Sequence, residues 1–297
     1  MLEKVCGYVA IVGKPNVGKS TLLNTLMKRK LTITSKKPQT TRHTITCVLT
    51  DERWQLQMLL VDTPGINFNS QHHIMKWMHQ QAVAALKQLD LRFWVLEAGH
   101  WEEHDQIIAS MLQPLATSTI VLLNKIDKIK DKSILLKQMT QLAALGFNHI
   151  VPLSALRDQA VDIIMKEARP LLPKQDFYYP AEQQVTCTKE FMSSEVIREK
   201  LMRYLGQEIP YECSVHIDHL TITDNKLHRI AATIYTANDR HKKVIIGTDG
   251  RQLKMIGQAA RLTLERMFDQ KVFLQLWVKV KESWAAHQEV TNHLGLA

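Results

Sequence analysis

The sequence predicts two domains: an α/β domain with a mostly parallel sheet and helices on both faces, then a smaller α+β domain. Three observations predict this. Short, almost wholly apolar runs alternate with amphipathic stretches through the first half, as strands buried between two helical layers do. Pro170, Pro173 and Pro180 then cluster around Tyr178 and Tyr179, a spacing that no helix survives. Beyond them the order becomes helix, strand, strand, helix, helix, strand. We place the first domain at residues 1–175, a linker at 176–190, the second domain at 191–285 and a tail at 286–297.

The apolar runs are Val5–Val12, Leu56–Val61, Leu91–Leu96, Thr119–Leu123 and His149–Leu153. Between them lie helical patterns over Gly18–Lys28, His72–Leu89, Glu103–Leu115, Ser133–Leu145 and Asp158–Leu171. Such sheets bind ligands at the carboxyl ends of their strands. In the second half, Glu190–Leu205 reads as a helix. Ser214–Thr223 and His228–Thr236 read as strands joined at Asp224-Asn225. Lys242–Ile246 is a short helix that breaks at Gly247, and Arg251–Phe268 is a helix with Ile256, Ala260 and Leu264 on one face. Val272, Leu274, Leu276, Val278 and Val280 alternate as on a strand with one buried face.

The bulk properties narrow the class. The 297 residues are 45% apolar, enough for a packed core. Four scattered cysteines (Cys6, Cys47, Cys187, Cys213) form no CxxC pair and read as thiols in a reducing cytosol. No apolar run reaches the roughly 18–20 residues that span a bilayer. The apolar start, VCGYVAIV, is too short for a signal peptide and reads as a buried strand. The net charge of +9 suggests an anionic partner, and its excess sits in residues 1–175, with 22 basic and 14 acidic residues. His72, His73 and His79 have no carboxylate or cysteine at ligand spacing and read as helix-surface residues. Trp54, Trp77, Trp94 and Trp101 read as core or rim. Phe273 and Trp277 share the strand face opposite Val272; they could stack on bases, but packing at the domain interface is the preferred reading.

The chemistry begins at Gly13-Lys14-Pro15-Asn16-Val17-Gly18-Lys19-Ser20, an ungapped GxxxxGK[ST] between a strand and a helix, followed by Thr21. Glycines let backbone N–H groups converge on a polyphosphate, and the helix adds its positive end. Lys19 brings a cation to the β/γ-phosphates, and Ser20 a hydroxyl to Mg²⁺. Asp62-Thr63-Pro64-Gly65 ends the second run. There Asp62 can hold the Mg²⁺ shell through water, and the Gly65 N–H can sense a γ-phosphate. Asn124-Lys125-Ile126-Asp127 ends the fourth run. Its carboxylate can accept from guanine N1–H and the 2-amino group, a donor pair adenine lacks. Ser154-Ala155 ends the fifth run and can close over the base. The set resembles the motifs of the translation-factor-related GTPases. Thr41, in the polar stretch 31–46, matches the threonine that completes the Mg²⁺ shell in that pattern. Lys19, Thr41 and Gly65 are therefore the expected catalytic set. Ile66 stands where Ras-type enzymes carry a water-orienting glutamine, so unaided hydrolysis should be slow. Relatives with asparagine at Asn16 hold a potassium ion there; a loop without the ion is the open alternative.

Gly247-Thr248-Asp249-Gly250 is a GxxG turn between two helices, where a nucleic-acid backbone can approach closely. Residues 239–266 hold seven basic against three acidic residues. Lys242, Lys243, Gly247, Thr248, Gly250, Arg251 and Lys254 are the expected RNA contacts. Phe191–Leu205, Glu208-Ile209-Pro210-Tyr211, Ile245–Gly257 and Leu274–Trp284, with the motifs above, resemble the Era family of bacterial GTPases over nearly the whole chain. That resemblance implies a P-loop GTPase domain joined to a type II KH domain, with GTP/GDP and Mg²⁺ as ligands. It further implies binding of 16S rRNA near its 3′ end, a role in small ribosomal subunit assembly, and a cytoplasmic monomer with peripheral association with the inner membrane. Family members carry a basic or amide residue inside the GxxG turn, where this chain has Thr248 and Asp249. The alternatives are a related GTPase acting on a tRNA or protein, and a binding module without catalysis.

Overall fold

The computed structural model describes residues 2–28, 45–62, 86–157, 161–183, 188–206, 209–224 and 226–281. The chain divides into two compact units, Met1–Thr186 and Cys187–Ala297.

In the first unit the described residues form a six-stranded sheet of order β2-β3-β1-β4-β5-β6. Its strands are β1 Val5–Val12, β2 Ile45–Asp51, β3 Leu56–Asp62, β4 Leu91–Glu97, β5 Thr119–Asn124 and β6 His149–Pro152. The five expected strands are all present and parallel. A sixth strand, β2, is not predicted by the sequence pattern and runs antiparallel to β3 from Ile45↔Asp62 to Asp51↔Leu56. β1 and β4 are buried almost throughout, because helices cover both sheet faces. Trp94, Phe147, Leu96, Leu112 and Leu142 join one side of the core. The helices are α1 Lys19–Leu26, α2 Glu103–Leu112, α3 Lys132–Ala144 and α4 Val161–Ala168. The expected helices over 103–115 and 158–171 both tighten into 3-10 turns, at Gln113–Ser118 and Arg169–Leu171, where Pro114 and Pro170 sit. Of the helix expected over 72–89, only residues 86–89 are described. Trp77 and the histidine trio lie outside the described residues, as does Cys187, whereas Cys6, Cys47 and Cys213 are buried.

The proline-rich stretch expected to open the linker is strapped onto the first unit. Cys6 N–H donates to Pro173 O (3.0 Å), Gln175 donates to Cys6 O (2.7 Å), and Gln57 donates to Tyr179 O (2.7 Å). The prolines stop a helix, as read, but leave an extended chain that pairs with β1.

The second unit runs α5 Lys189–Tyr204, β7 Cys213–Ile222, β8 His228–Thr236, α6 Asp239–Ile246, α7 Arg251–Phe268 and β9 Val272–Val280. Its sheet order is β7-β8-β9, with β7 antiparallel and β9 parallel to β8. Helix α5 starts at the Thr188 cap, whose hydroxyl accepts from Phe191 N–H. Helix α6 starts earlier than expected because Asn238 caps it through His241 N–H. Ile230, Ala232 and Ile234 of β8 are buried, and with Ile256, Ala260 and Leu264 of α7 they form this unit's core. On the other sheet face, Phe273 and Trp277 are 49% and 45% exposed. They project from the side of the sheet that the core-forming α7 does not cover. Trp94 is core and Trp101 rim, as expected.

Candidate nucleotide site and RNA groove

The first site lies at the carboxyl ends of β1, β3, β5 and β6. The phosphate loop Gly13–Gly18 joins β1 to α1. Gly18 adopts φ 107°, and a Cβ there would fall 2.3 Å from Asn124 Nδ2. Only glycine allows that approach. Lys19 is buried, and its ammonium donates to Gly13 O and Lys14 O, both at 2.9 Å, which arches the lysine across the loop. Pro15 and Val17 shape the loop, Val17 being buried; Asn16 is exposed at φ 66°, a conformation asparagine tolerates. Ser20 and Thr21 open the first turn of α1. Asp62 ends β3 with its backbone registered on Ile11 of β1. This places an aspartate beside the strand that feeds the loop.

Lys14 is expected among the nucleotide contacts of the loop. Its ammonium is turned toward α2, 2.9 Å from Asp105 and 3.1 Å from Glu102. Burial opposes its charge, but hydrogen bonds and charges from Asp105 and Glu102 outweigh this and hold it above its ordinary value. Asp105 and Glu102 are also the capping box of α2. The loop is thus fastened to α2, and Lys19 is the loop cation facing inward.

The base end is one hydrogen-bonded unit. Asn124 is buried, donates to Val17 O at 2.8 Å, and accepts from Lys125 N–H at 2.8 Å and Ala155 N–H at 2.9 Å. Thr25 of α1 donates to Ala155 O at 2.6 Å. The Ser154 hydroxyl donates to Asp127 at 2.5 Å and holds that carboxyl below its ordinary value, so it stays an ionised acceptor. Lys125, at φ 67°, directs its ammonium to Glu97 at 2.5 Å, and Ile126 N–H donates to Leu153 O. One asparagine therefore joins the phosphate loop, the Asn124–Asp127 turn and the Ser154-Ala155 turn. Thr41, Thr63, Pro64, Gly65 and Ile66 lie outside the described residues.

In the second unit the GxxG turn stands between α6 and α7. Gly247, Asp249 and Gly250 all take positive φ (72°, 53° and 73°), and a Cβ on Gly250 would meet nothing within 4 Å. The backbone is open to an approaching chain there. Next to it lies a groove of about 560 Å³, walled by Gly250, Lys254, Gly257 and Arg261 on one side and Leu274 and Leu276 on the other. Lys254 and Gly250 were expected contacts; Arg261, Gly257 and the β9 leucines were not, since the β9 pairing that builds the second wall is tertiary. Lys242, Lys243 and Thr248 complete the helix–turn–helix surface. Asp249 and Arg251 are both exposed and stand 3.8 Å apart. Among the described residues no cluster of metal-ligating side chains appears, and no helix is long and apolar enough to cross a membrane.

Comparison with known proteins gives the same division. Residues 8–125 match a family described as 50S ribosome-binding GTPase, and residues 208–285 match the KH domain. GTPase Era of Coxiella burnetii is 43% identical over 296 residues, covering 99% of both chains. The crystal structure of Aquifex aeolicus Era bound to GDP and AlF4⁻ superposes with a TM-score of 0.87 at 33% identity, covering 99% of each chain. A structure of Era with MgGDPNP and nucleotides 1506–1542 of 16S ribosomal RNA superposes at 0.86, with the same identity and coverage. A nucleotide site on the first unit, a GxxG groove on the second and this end-to-end similarity place the chain in the Era family of GTPases, enzymes with a GTPase domain followed by a KH domain.

Proposed function

We propose that this GTPase is a switch that binds 16S rRNA near its 3′ end and assists assembly of the small ribosomal subunit. The observation that carries the reading is the GxxG turn beside a basic, partly apolar groove in the second unit. A similar protein has been crystallised with that RNA segment. The open glycine backbone admits a phosphodiester chain, Lys254 and Arg261 meet its charge, and Leu274 and Leu276 give bases an apolar wall.

In the nucleotide site, loop N–H groups and Lys19 hold the phosphates, Asp127 reads guanine, and Asn124 holds the two ends in register. Mg²⁺ suits the oxygen donors available, the Ser20 hydroxyl and the aspartate that ends β3. When bound, the ion supplies positive charge at the β/γ-phosphates. Thr41 and Gly65 are the residues that would respond to the γ-phosphate. With isoleucine after Gly65, turnover is slow unaided. Asn16 offers an amide oxygen for K⁺; phosphate release should rise in K⁺ over Na⁺ in the native chain and not in Asn16→Gly, which keeps the positive φ. Equal rates in both salts would remove the potassium role.

Crosslinking the full chain to total RNA with GTP or GDP, and mapping the adducts, tests the partner. Adducts at the 3′ end of 16S rRNA support the reading; adducts spread over tRNA or absent altogether overturn it.

A further inference from the structure

We propose that the outer face of the β7-β8-β9 sheet is a second RNA-contacting surface, on which Phe273 and Trp277 stack bases of a strand that leaves the GxxG groove. The proposal rests on the RNA-binding reading and extends it to residues outside the groove.

β9 is an edge strand of this sheet. Its Leu274 and Leu276 line the groove, while Phe273 and Trp277 point to the opposite face because side chains alternate along a strand. A chain filling the groove therefore reaches the outer face by crossing the β9 edge. The register sets what it meets there. Phe273 lies beside Arg229, Trp277 beside Thr233, and Lys279 beside Tyr235. Phe273 and Trp277 are about half exposed, and Arg229 and Lys279 are exposed. Lys281 sits over the Tyr235 ring at 5.7 Å. Aromatic rings at four-residue spacing lie about 13 Å apart on a strand, so separate bases can stack on each while the cations meet the phosphates between them.

The chemistry favours RNA over other occupants. Exposed aromatic rings interleaved with Arg229, Lys279 and Lys281 offer both a π-face and a phosphate partner. Among the described residues, Asp218 is an acid that meets this face, and its carboxylate accepts from the Thr233 hydroxyl at 2.7 Å. A second copy of this face would bring like charges together.

The test compares two RNAs on the full chain. One is a single strand of roughly six nucleotides, enough for the about four that a GxxG turn clamps. The other carries the same segment with roughly ten further nucleotides at each end. Phe273→Ala and Trp277→Ala should weaken the long RNA roughly five- to twentyfold, the lower range for lost stacking, and leave the short RNA within about twofold. Lys279→Gln should lower the salt slope for the long RNA by about one. Melting temperature and RNA-free GTP hydrolysis should stay as in the native chain. Unchanged long-RNA affinity overturns the proposal, as it would if the face binds protein. An equal loss on both RNAs overturns it too. If the native chain binds neither RNA, the RNA-binding reading itself fails. Should a variant misfold, 4-thiouridine crosslinking of the native chain decides: adducts on Phe273, Trp277 or Lys279 support the surface, and adducts confined to the groove, at residues 242–261, Leu274 and Leu276, overturn it.

Discussion

Asn124→Ala tests whether one side chain holds the two ends of the nucleotide site together. The amide makes three hydrogen bonds, to Val17 O, Lys125 N–H and Ala155 N–H, at 2.8–2.9 Å, and is 2% exposed. Each such bond contributes about 1 kcal/mol net, and the buried partners left behind lose their acceptor or donor. The combined effect is about 3 kcal/mol, on the order of a hundredfold in affinity. Asn124 works through the loop and the base turn, so GTP and GDP should weaken equally. Fluorescent-nucleotide titration with each ligand measures this, and thermal unfolding separates lost binding from lost folding. An affinity within threefold of the native chain, or a loss confined to GTP, would refute the reasoning.

Three further outcomes follow from the structure. Asp127→Asn should weaken GTP and admit xanthosine nucleotide, because it exchanges an acceptor for a donor at the atom pair that Ser154 orients; competition titration with XTP checks it. Asp249→Asn should tighten RNA binding roughly two- to fivefold by removing an exposed carboxylate while keeping a residue suited to φ 53°. Asp249→Lys adds charge but strains that backbone and should gain less than charge alone predicts; filter binding with both variants separates the effects. His228 is buried, stacks on Phe268 and accepts from Lys189. Burial and the Lys189 charge push its imidazolium below its ordinary value, about 6.5. The unfolded chain then binds the proton more readily, so the second unit keeps its full stability above that value and loses it as pH falls through it. Melting from pH 8 to pH 5 should show that loss in the native chain and a flatter profile in His228→Phe.

The nucleotide site was legible wherever chemistry constrains consecutive residues. The loop glycines, Asn124-Lys125-Ile126-Asp127 and Ser154-Ala155 each end an apolar run, and the parallel sheet brings those ends together. Strands buried on both faces were legible for the same reason. β2 was not: ITCVLTD mixes threonines with apolar residues, and its identity as a strand comes from hydrogen bonds to β3. The Lys14–Asp105 pair spans 91 positions and leaves no local mark. The prolines of 170–180 signal where helix stops, not that the following chain pairs with Cys6 and Gln57. The GxxG turn was visible as a motif, whereas the wall facing it needed the parallel register of β8 and β9.

The measurement closest to the central claim is the affinity of a non-hydrolysable GTP analogue for the full chain, with and without a saturating oligonucleotide of the 16S 3′ end. A switch that couples the two ligands shows a ratio of roughly 5 to 150, and by linkage the analogue changes RNA affinity by the same factor. Identical affinities with and without RNA would contradict the account and leave two sites on one chain that do not communicate.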